Sequence, residues 1–354
     1  MSSIPRIGIS CGDLHGVGLE VVLKTFEDNR ILQEITPVLY CGAKAVSFHR
    51  KALGLEEAVP FHRVADASEA IARKLNVVSI WEEELPLELG RPSGKHAEYT
   101  IKSLEAAAQD LGAGKVDVLV TAPIDKAAMQ AVGFKYPGHT EFLQSLAGTD
   151  SQVLMILVGD GLRVGTVTGH IPLKDVSEAV TAERIVAKAR LFHQSLMRDF
   201  GCIDPRIAIL GLNPHAGDNG ALGTEDRERI SPAVRQLKEE GIKAMGPYPA
   251  DGFFGSGQFK HFDGVLAMYH DQGLAPFKAL SFGTGVNFTA GLPIIRTSPD
   301  HGTALDIAGK GLADESSFRH AIWLACDIRE QRDRYREIHA NPLQPQERGK
   351  KEKA

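Results

Sequence analysis

Three of the thirteen histidines close apolar runs: VGTVTGH ends at His170, IAILGLNPH at His215 and GVLAMYH at His270. Each run reads as a strand, and ligands of a parallel sheet gather at the carboxyl ends of its strands. Imidazoles far apart in the chain can therefore meet at one point. Three neutral imidazoles with an open fourth position are the ligand set of a catalytic metal, Zn²⁺ above all. A structural zinc site would show closely spaced Cys or His pairs, and none stands out here. The spacing also allows a blander arrangement, with each ring capping its own strand or bonding a backbone carbonyl.

The neighbours of these histidines are polar where a plain core strand would end in a simple turn. His270 leads into Asp271-Gln272-Gly273 and then Pro276-Phe277-Lys278, which resembles an active-site loop. His215 sits in Asn213-Pro214-His215-Ala216-Gly217-Asp218, where Pro214 and Gly217 constrain the backbone. Gly138-His139-Thr140-Glu141 opens the segment EFLQSLAG and reads as a helix N-terminus with His139 and Thr140 pointing outward. Such an end attracts phosphate through its free N–H groups and dipole, although Thr140 could equally be a bare cap. Asn287, Arg296 and Lys278 lie close in sequence, directly after the third histidine. Arginine grips phosphate or carboxylate bidentately and lysine adds a point charge.

The elements that must position these groups alternate between strand and helix. Strands are expected at 6–10, 37–40, 77–81, 115–121, 153–158, 163–168, 206–210, 264–268 and 293–296. Helices are expected at 19–26 and 97–111, the latter rich in Ala and Leu. This interleaving predicts an α/β protein with a largely parallel sheet. Gly12-Asp13-Leu14-His15-Gly16-Val17-Gly18 follows the first strand but is not G-x-G-x-x-G, so a standard Rossmann domain is disfavoured. No linker cuts the chain, so two domains would have to be interwoven within one unit over 1–340. Residues 341–354, NPLQPQERGKKEKA, are expected to be a disordered tail.

Composition narrows the partners. The 354 residues are 43% hydrophobic and 24% charged, with a net charge of -5, which gives no basic footprint for a nucleic acid. An anionic substrate would need a local cluster of cations and N–H groups. Cys11, Cys41, Cys202 and Cys326 are scattered and read as reduced core residues rather than a disulfide framework. No apolar run approaches the ~20 residues of a membrane span, and the N-terminus lacks a signal-peptide pattern. The expected location is the cytoplasm, with no membrane partner.

Several of these segments together resemble one family. TAPIDK (121–126), GHTEF (138–142), the segment around His170, LNPHAGD (212–218), MYHDQGLAPFK (268–278) and GLPIIRTSPDHGTALDIAG (291–309) are similar to the 4-hydroxythreonine-4-phosphate dehydrogenases of pyridoxal phosphate biosynthesis. The resemblance runs from about residue 7 to 325. It implies an isocitrate/isopropylmalate dehydrogenase-like α/β fold of two interwoven subdomains, non-Rossmann, and a homodimer with the active site at the interface. It implies one divalent metal, Zn, Mg or Co, on His170, His215 and His270, with His270 supplied by the partner subunit. His139, Thr140, Lys278, Asn287 and Arg296 would bind a small phosphorylated substrate, and Asp251 and Asp271 would join Lys278 as catalytic groups. NAD or NADP would accept hydride from 4-phosphooxy-L-threonine, giving a β-keto acid that loses CO₂ to 3-amino-2-oxopropyl phosphate.

The chain departs from the family pattern at CGDLHGVG, at Asp125 where Asn is common, and at Gly169 where Thr is usual. No role is therefore assigned to Asp13 or His15. Three rivals stay open on sequence grounds. One is a related dehydrogenase of 4-phosphoerythronate- or 4-phosphothreonate-type acids, another a three-histidine metal hydrolase, and the last a non-catalytic binding protein of the same fold.

Overall fold

The computed structural model describes residues 4–91, 94–146, 148 and 152–341, so residues 342–354 of the expected tail lie outside the described residues. Twelve strands form one sheet: β1 Arg6–Ser10, β2 Thr36–Cys41, β3 His62–Val64, β4 Asn76–Ser79, β5 Val118–Thr121, β6 Leu154–Gly159, β7 Leu162–Thr166, β8 Arg206–Leu210, β9 Lys243–Tyr248, β10 Gly264–Ala267, β11 Val286–Ala290 and β12 Arg296–Pro299. Their order is β3-β4-β2-β1-β5-β12-β11-β6-β7-β10-β8-β9.

The sheet is parallel at both ends and antiparallel in the middle. β3, β4, β2, β1, β5 and β12 run parallel to one another, as do β7, β10, β8 and β9. The pairings β12–β11, β11–β6 and β6–β7 are antiparallel, so the two parallel halves point in opposite directions. The chain builds the first half through β5, crosses to build the second, and returns through β11 to add β12. This order matches neither doubly wound nucleotide-binding arrangement, in line with the missing glycine fingerprint.

Most strand expectations hold to within a few residues, and 6–10 and 206–210 coincide with β1 and β8. The expectation at 293–296 is displaced, because the ladder begins only at Arg296, which pairs with Leu119. Pro293 has no N–H to give a ladder, which explains the late start. β3, β9 and β11 were not anticipated. β11, VNFTA, alternates polar and apolar residues and carries few of the long aliphatic side chains that mark a buried strand.

That alternation sets up the site. On β12, Arg296 and Ser298 share one face and Thr297 the other; on β11, Asn287 and Thr289 lie on one face and Phe288 on the other. Asn287 pairs with Ser298 across the ladder, so the polar residues of both strands share a face. The opposite face is covered by the helix Ser316–Ala340, where the Thr297 hydroxyl donates to the Ala321 carbonyl at 2.7 Å. Phe288, Phe318, Ile322 and Ala325 are fully buried in that core.

The Gly12–Gly18 loop leaves β1 beside the end of β5. Gly12 has φ +70°, and a Cβ there would sit 2.4 Å from the Pro123 carbonyl oxygen. Asp13 N–H donates to that same oxygen at 2.8 Å. The His49 Nε2–H donates to the Leu14 carbonyl at 3.1 Å and closes the loop from the other side. Burial pushes the His49 imidazole down to about 4, reinforced by the nearby His15 and opposed by its bond to Leu14.

Two outcomes are expected. Gly12→Ala combines a disfavoured φ with a backbone clash, so urea unfolding should show a loss of about 2–3 kcal/mol or more. His49 is neutral in the fold but takes a proton near pH 6.5 when unfolded. Stability should therefore drop by on the order of 3 kcal/mol as pH falls from about 6.5 to about 4. His49→Gln should flatten that acid limb in denaturant titrations at stepped pH. A limb as steep as the wild type's would assign the loss to other groups.

Candidate active site

A cleft of about 630 Å³ lies over the polar face where the two halves of the sheet join. Its wall includes Thr121 from the end of β5, Asn287 from β11, Arg296 and Ser298 from β12, and His170 from beyond β7. The segment Gly138–Glu141 closes one side, and His139 begins the helix His139–Leu146.

Arg296 is only 4% exposed. Its Nε and Nη2 donate to the Thr121 hydroxyl at 3.1 and 2.7 Å, and Nη2 also donates to His139 Nδ1 at 3.0 Å. Burial pushes the guanidinium down to about 10, still well above neutral pH. The same bond fixes the state of His139. Burial, then Arg296 and Lys126, hold its imidazole well below the usual range, so it is neutral. Because Nδ1 accepts from Arg296, the proton must lie on Nε2, and that buried Nε2–H has no partner among the described residues. The buried Asn287 Oδ1 is likewise unpaired. Orphaned buried polar atoms lining a cleft are the mark of a ligand that completes them.

His139 therefore does not point outward as its sequence context suggested: its ring is buried against Arg296, because the helix start is pressed onto the sheet. Thr140 lies 3.4 Å, hydroxyl to hydroxyl, from Thr289 on β11. Sequence reasoning missed three further cations. Lys126, Arg184 and Lys188 line the cleft, and Glu141 is the carboxylate that lines it. Lys188 donates to the Val153 carbonyl at 2.6 Å, and burial followed by Arg184 lowers its pKa. The signal available was the i,i+4 spacing of Arg184 and Lys188 on the helix Ala182–Arg198, which puts both on one face.

The three histidines arise as the spacing suggested, from the carboxyl ends of β7, β8 and β10. These strands are neighbours in the order β7-β10-β8 and run parallel. His170 and His270 have ring centroids 5.1 Å apart within one chain. His215 is exposed, with φ 53°, on a loop whose neighbours Leu212 and Asn213 donate N–H groups to Asp226 at 2.8 and 3.0 Å. Gln272 ties this loop to the His270 turn, donating to the Gly211 carbonyl at 2.6 Å and accepting from Met268 N–H at 2.7 Å. Among the described residues of one chain, no three His, Cys, Asp or Glu side chains gather closely enough to hold a metal ion.

The donor chemistry nevertheless fits a divalent cation. Asp271 Oδ1 lies 2.7 Å from His270 Nδ1, which leaves His270 Nε2 free, the usual way a carboxylate orients a ligating imidazole. Burial, then the charges of Lys126 and His270, lower the His170 pKa and favour the neutral ring a metal needs. Asp251 stands apart: it is exposed at the start of the helix Ala250–Gly255 and does not line the cleft. Lys278 lies next door, 3.4 Å from Asp300 Oδ1, in a second, more apolar cleft of about 400 Å³. The two clefts share His301. All four cysteines are free, as expected. No helix among the described residues is long and apolar enough to cross a membrane.

A family model described as "Pyridoxal phosphate biosynthetic protein PdxA" matches residues 33–325. The chain is 50% identical over 341 residues to a 4-hydroxythreonine-4-phosphate dehydrogenase of Bacteroides thetaiotaomicron, covering 96% of this chain and 93% of that one. Among solved structures it is similar to the 4-hydroxythreonine-4-phosphate dehydrogenase of Burkholderia phymatum, at 39% identity and TM-score 0.76, over 92% of this chain and 99% of that one. The Klebsiella pneumoniae enzyme of the same name matches at 34% identity and TM-score 0.77, again over 92% and 99%. The α/β, non-Rossmann fold class expected from the motifs is borne out by this likeness and by the strand order. A family model spanning residues 33–325 and relatives that align along more than nine-tenths of the chain show that it is an oxidoreductase belonging to the PdxA family of pyridoxal phosphate biosynthetic proteins.

Proposed function

We propose that the chain oxidises 4-phosphooxy-L-threonine with NAD⁺ or NADP⁺, and that the β-keto acid so formed loses CO₂ to give 3-amino-2-oxopropyl phosphate. The observation that carries this reading is the buried Arg296, whose hydrogen bonds among the described residues go to neutral groups and which fixes a cleft-lining His139 whose Nε2–H is unpaired. A positive, desolvated, incompletely paired site calls for an anionic ligand. Arg296, His139, Thr140 and Asn287 bind the substrate, and Lys126 adds positive charge to the same cleft.

His170, His215 and His270 would hold the divalent metal, Zn, Mg or Co, with Asp271 orienting the His270 ring. When bound, such an ion supplies Lewis acidity toward the substrate hydroxyl and the carbonyl that replaces it. The carbon bearing the hydroxyl gives hydride to the nicotinamide ring and the hydroxyl gives up its proton. Loss of CO₂ then leaves an enolate that takes a proton. Lys278, beside Asp300 where the two clefts meet at His301, is the group we assign to the proton steps, with Asp271 and Asp251 as the other acidic candidates. The more apolar cleft would take the dinucleotide. Exposed His170 and His215 support a homodimer in which the partner closes the site.

The departure at Asp125 has a structural explanation. Its carboxylate caps the helix Lys126–Ala131 by accepting Ala128 N–H at 3.0 Å, which Asn could also do. It therefore gives no ground for preferring a different substrate.

The deciding measurement is reduced-nicotinamide absorbance with 4-phosphooxy-L-threonine, 4-phosphoerythronate and 4-phosphothreonate, each with NAD⁺ and NADP⁺. Turnover of the first is expected. Preference for either of the others would favour the related sugar-acid dehydrogenase, and phosphate release without a nicotinamide signal would favour a hydrolase. Chelation should abolish activity, and Zn²⁺, Mg²⁺ or Co²⁺ should restore it. His215→Ala should lose metal and turnover together; full metal occupancy with normal activity would remove His215 from the ligand set. Arg296→Met should raise KM roughly 30–150-fold, the equivalent of about 2–3 kcal/mol for a charge-assisted bond.

A further inference from the structure

A third cleft lies at the opposite end of β5. It measures about 520 Å³ and is lined by Val116 and Asp117, which precede that strand, and by Pro293–Ile295, which precede β12. Four arginines enter it: Arg198, Arg329, Arg332 and Arg336. The active cleft takes Thr121 from the carboxyl end of β5 and Arg296 from β12, so the two clefts are separate places on the same pair of strands.

The acidic groups nearby do not use up this charge. Asp199 is 1% exposed, and its two oxygens already serve Arg198 at 2.8 and 3.1 Å, Arg332 at 2.7 Å and the Ser195 hydroxyl at 2.7 Å. Asp117 takes the Arg6 N–H at 2.7 Å and lies 3.4 Å from Arg329. Asp333 pairs with Arg336. Among the described residues, four guanidiniums thus share three carboxylates. Arg332 is 8% exposed, and its Nη1 donates to the Pro293 and Ile294 carbonyls at 2.9 and 3.2 Å, but its buried Nη2 has no partner among the described residues. Burial lowers the Arg332 pKa, and Arg198 and Arg336 add repulsion. The rest of the wall is apolar, with Leu111, Val116, Ile294 and Ile295.

We infer that this cleft is a second ligand site, for a phosphate monoester carried on a small apolar body. The dianion completes the arginines, Arg332 Nη2 among them, and the body lies against the aliphatic wall.

Calorimetric titration of the full-length protein with phenyl phosphate and with inorganic phosphate tests this. The wild type should take two phenyl phosphates per chain, one here and one at Arg296. Arg329→Gln/Arg336→Gln should keep one, with kcat and KM of the dehydrogenase unchanged, while Arg296→Met should keep the other. At this site phenyl phosphate should bind roughly fivefold or more tightly than inorganic phosphate, because the ring adds buried apolar area. A double variant that titrates like the wild type overturns the proposal, and equal affinity for the two probes overturns the apolar half of it. If the double variant does not fold, Arg336→Gln alone, at a side chain 77% exposed, must weaken the second binding step roughly fivefold. An unchanged step then overturns the site.

Discussion

A charged guanidinium buried in the middle of a sheet is the constraint on which this site depends. Desolvating a cation costs several kcal/mol even after the protein relaxes around it. Arg296 recovers part of that through three hydrogen bonds, yet the acceptors are the Thr121 hydroxyl and the His139 ring, neither of them charged. The arrangement keeps the positive charge intact and forces His139 into one tautomer. Electrostatic need is thereby converted into geometry: a fixed N–H donor beside a cation that has no ion pair among the described residues.

The sheet makes this possible by separating its two faces. Thr297 and Phe288 turn toward the helix Ser316–Ala340 and bury themselves in the core, while Arg296, Ser298, Asn287 and Thr289 turn the other way. A strand whose alternate residues are this polar cannot be covered by a helix on both sides without leaving unpaired groups. The cleft is what remains when that face stays uncovered. The antiparallel join places it between two parallel halves, so that one half contributes the buried arginine and the other the histidines.

On the histidine side the restraint is backbone chemistry. Asp226 gathers the N–H groups of Leu212 and Asn213, and Gln272 links the Gly211 carbonyl to the Met268 N–H. The loops after β8 and β10 are thus bonded to each other before any ligand arrives. His215, Ala216, Asp218 and Asn219 all adopt positive φ, an uncommon backbone for such residues. Residual strain of this kind persists only where the surroundings over-determine the chain, and it clusters at functional loops.

Much of this was written in the sequence. Apolar runs ending in His170, His215 and His270 revealed strands with polar ends, because strand burial is a local pattern and a polar residue at its limit stands out. The missing glycine fingerprint disfavoured a standard Rossmann domain for the same local reason. Other features were beyond local reading. That β7, β10 and β8 are neighbours is a long-range pairing, and nothing in the individual strands encodes it. Sequence named Arg296 as a cation for the substrate but not its burial, which the sheet decides by placing it beside Thr121 and the helix start by pressing His139 onto it; that Asp251 is exposed and does not line this cleft of its own chain is likewise a tertiary fact. Residue type and spacing determined which groups had chemistry to offer. Burial and partnership, which depend on segments more than a hundred residues apart, decided which of them the cleft brings together.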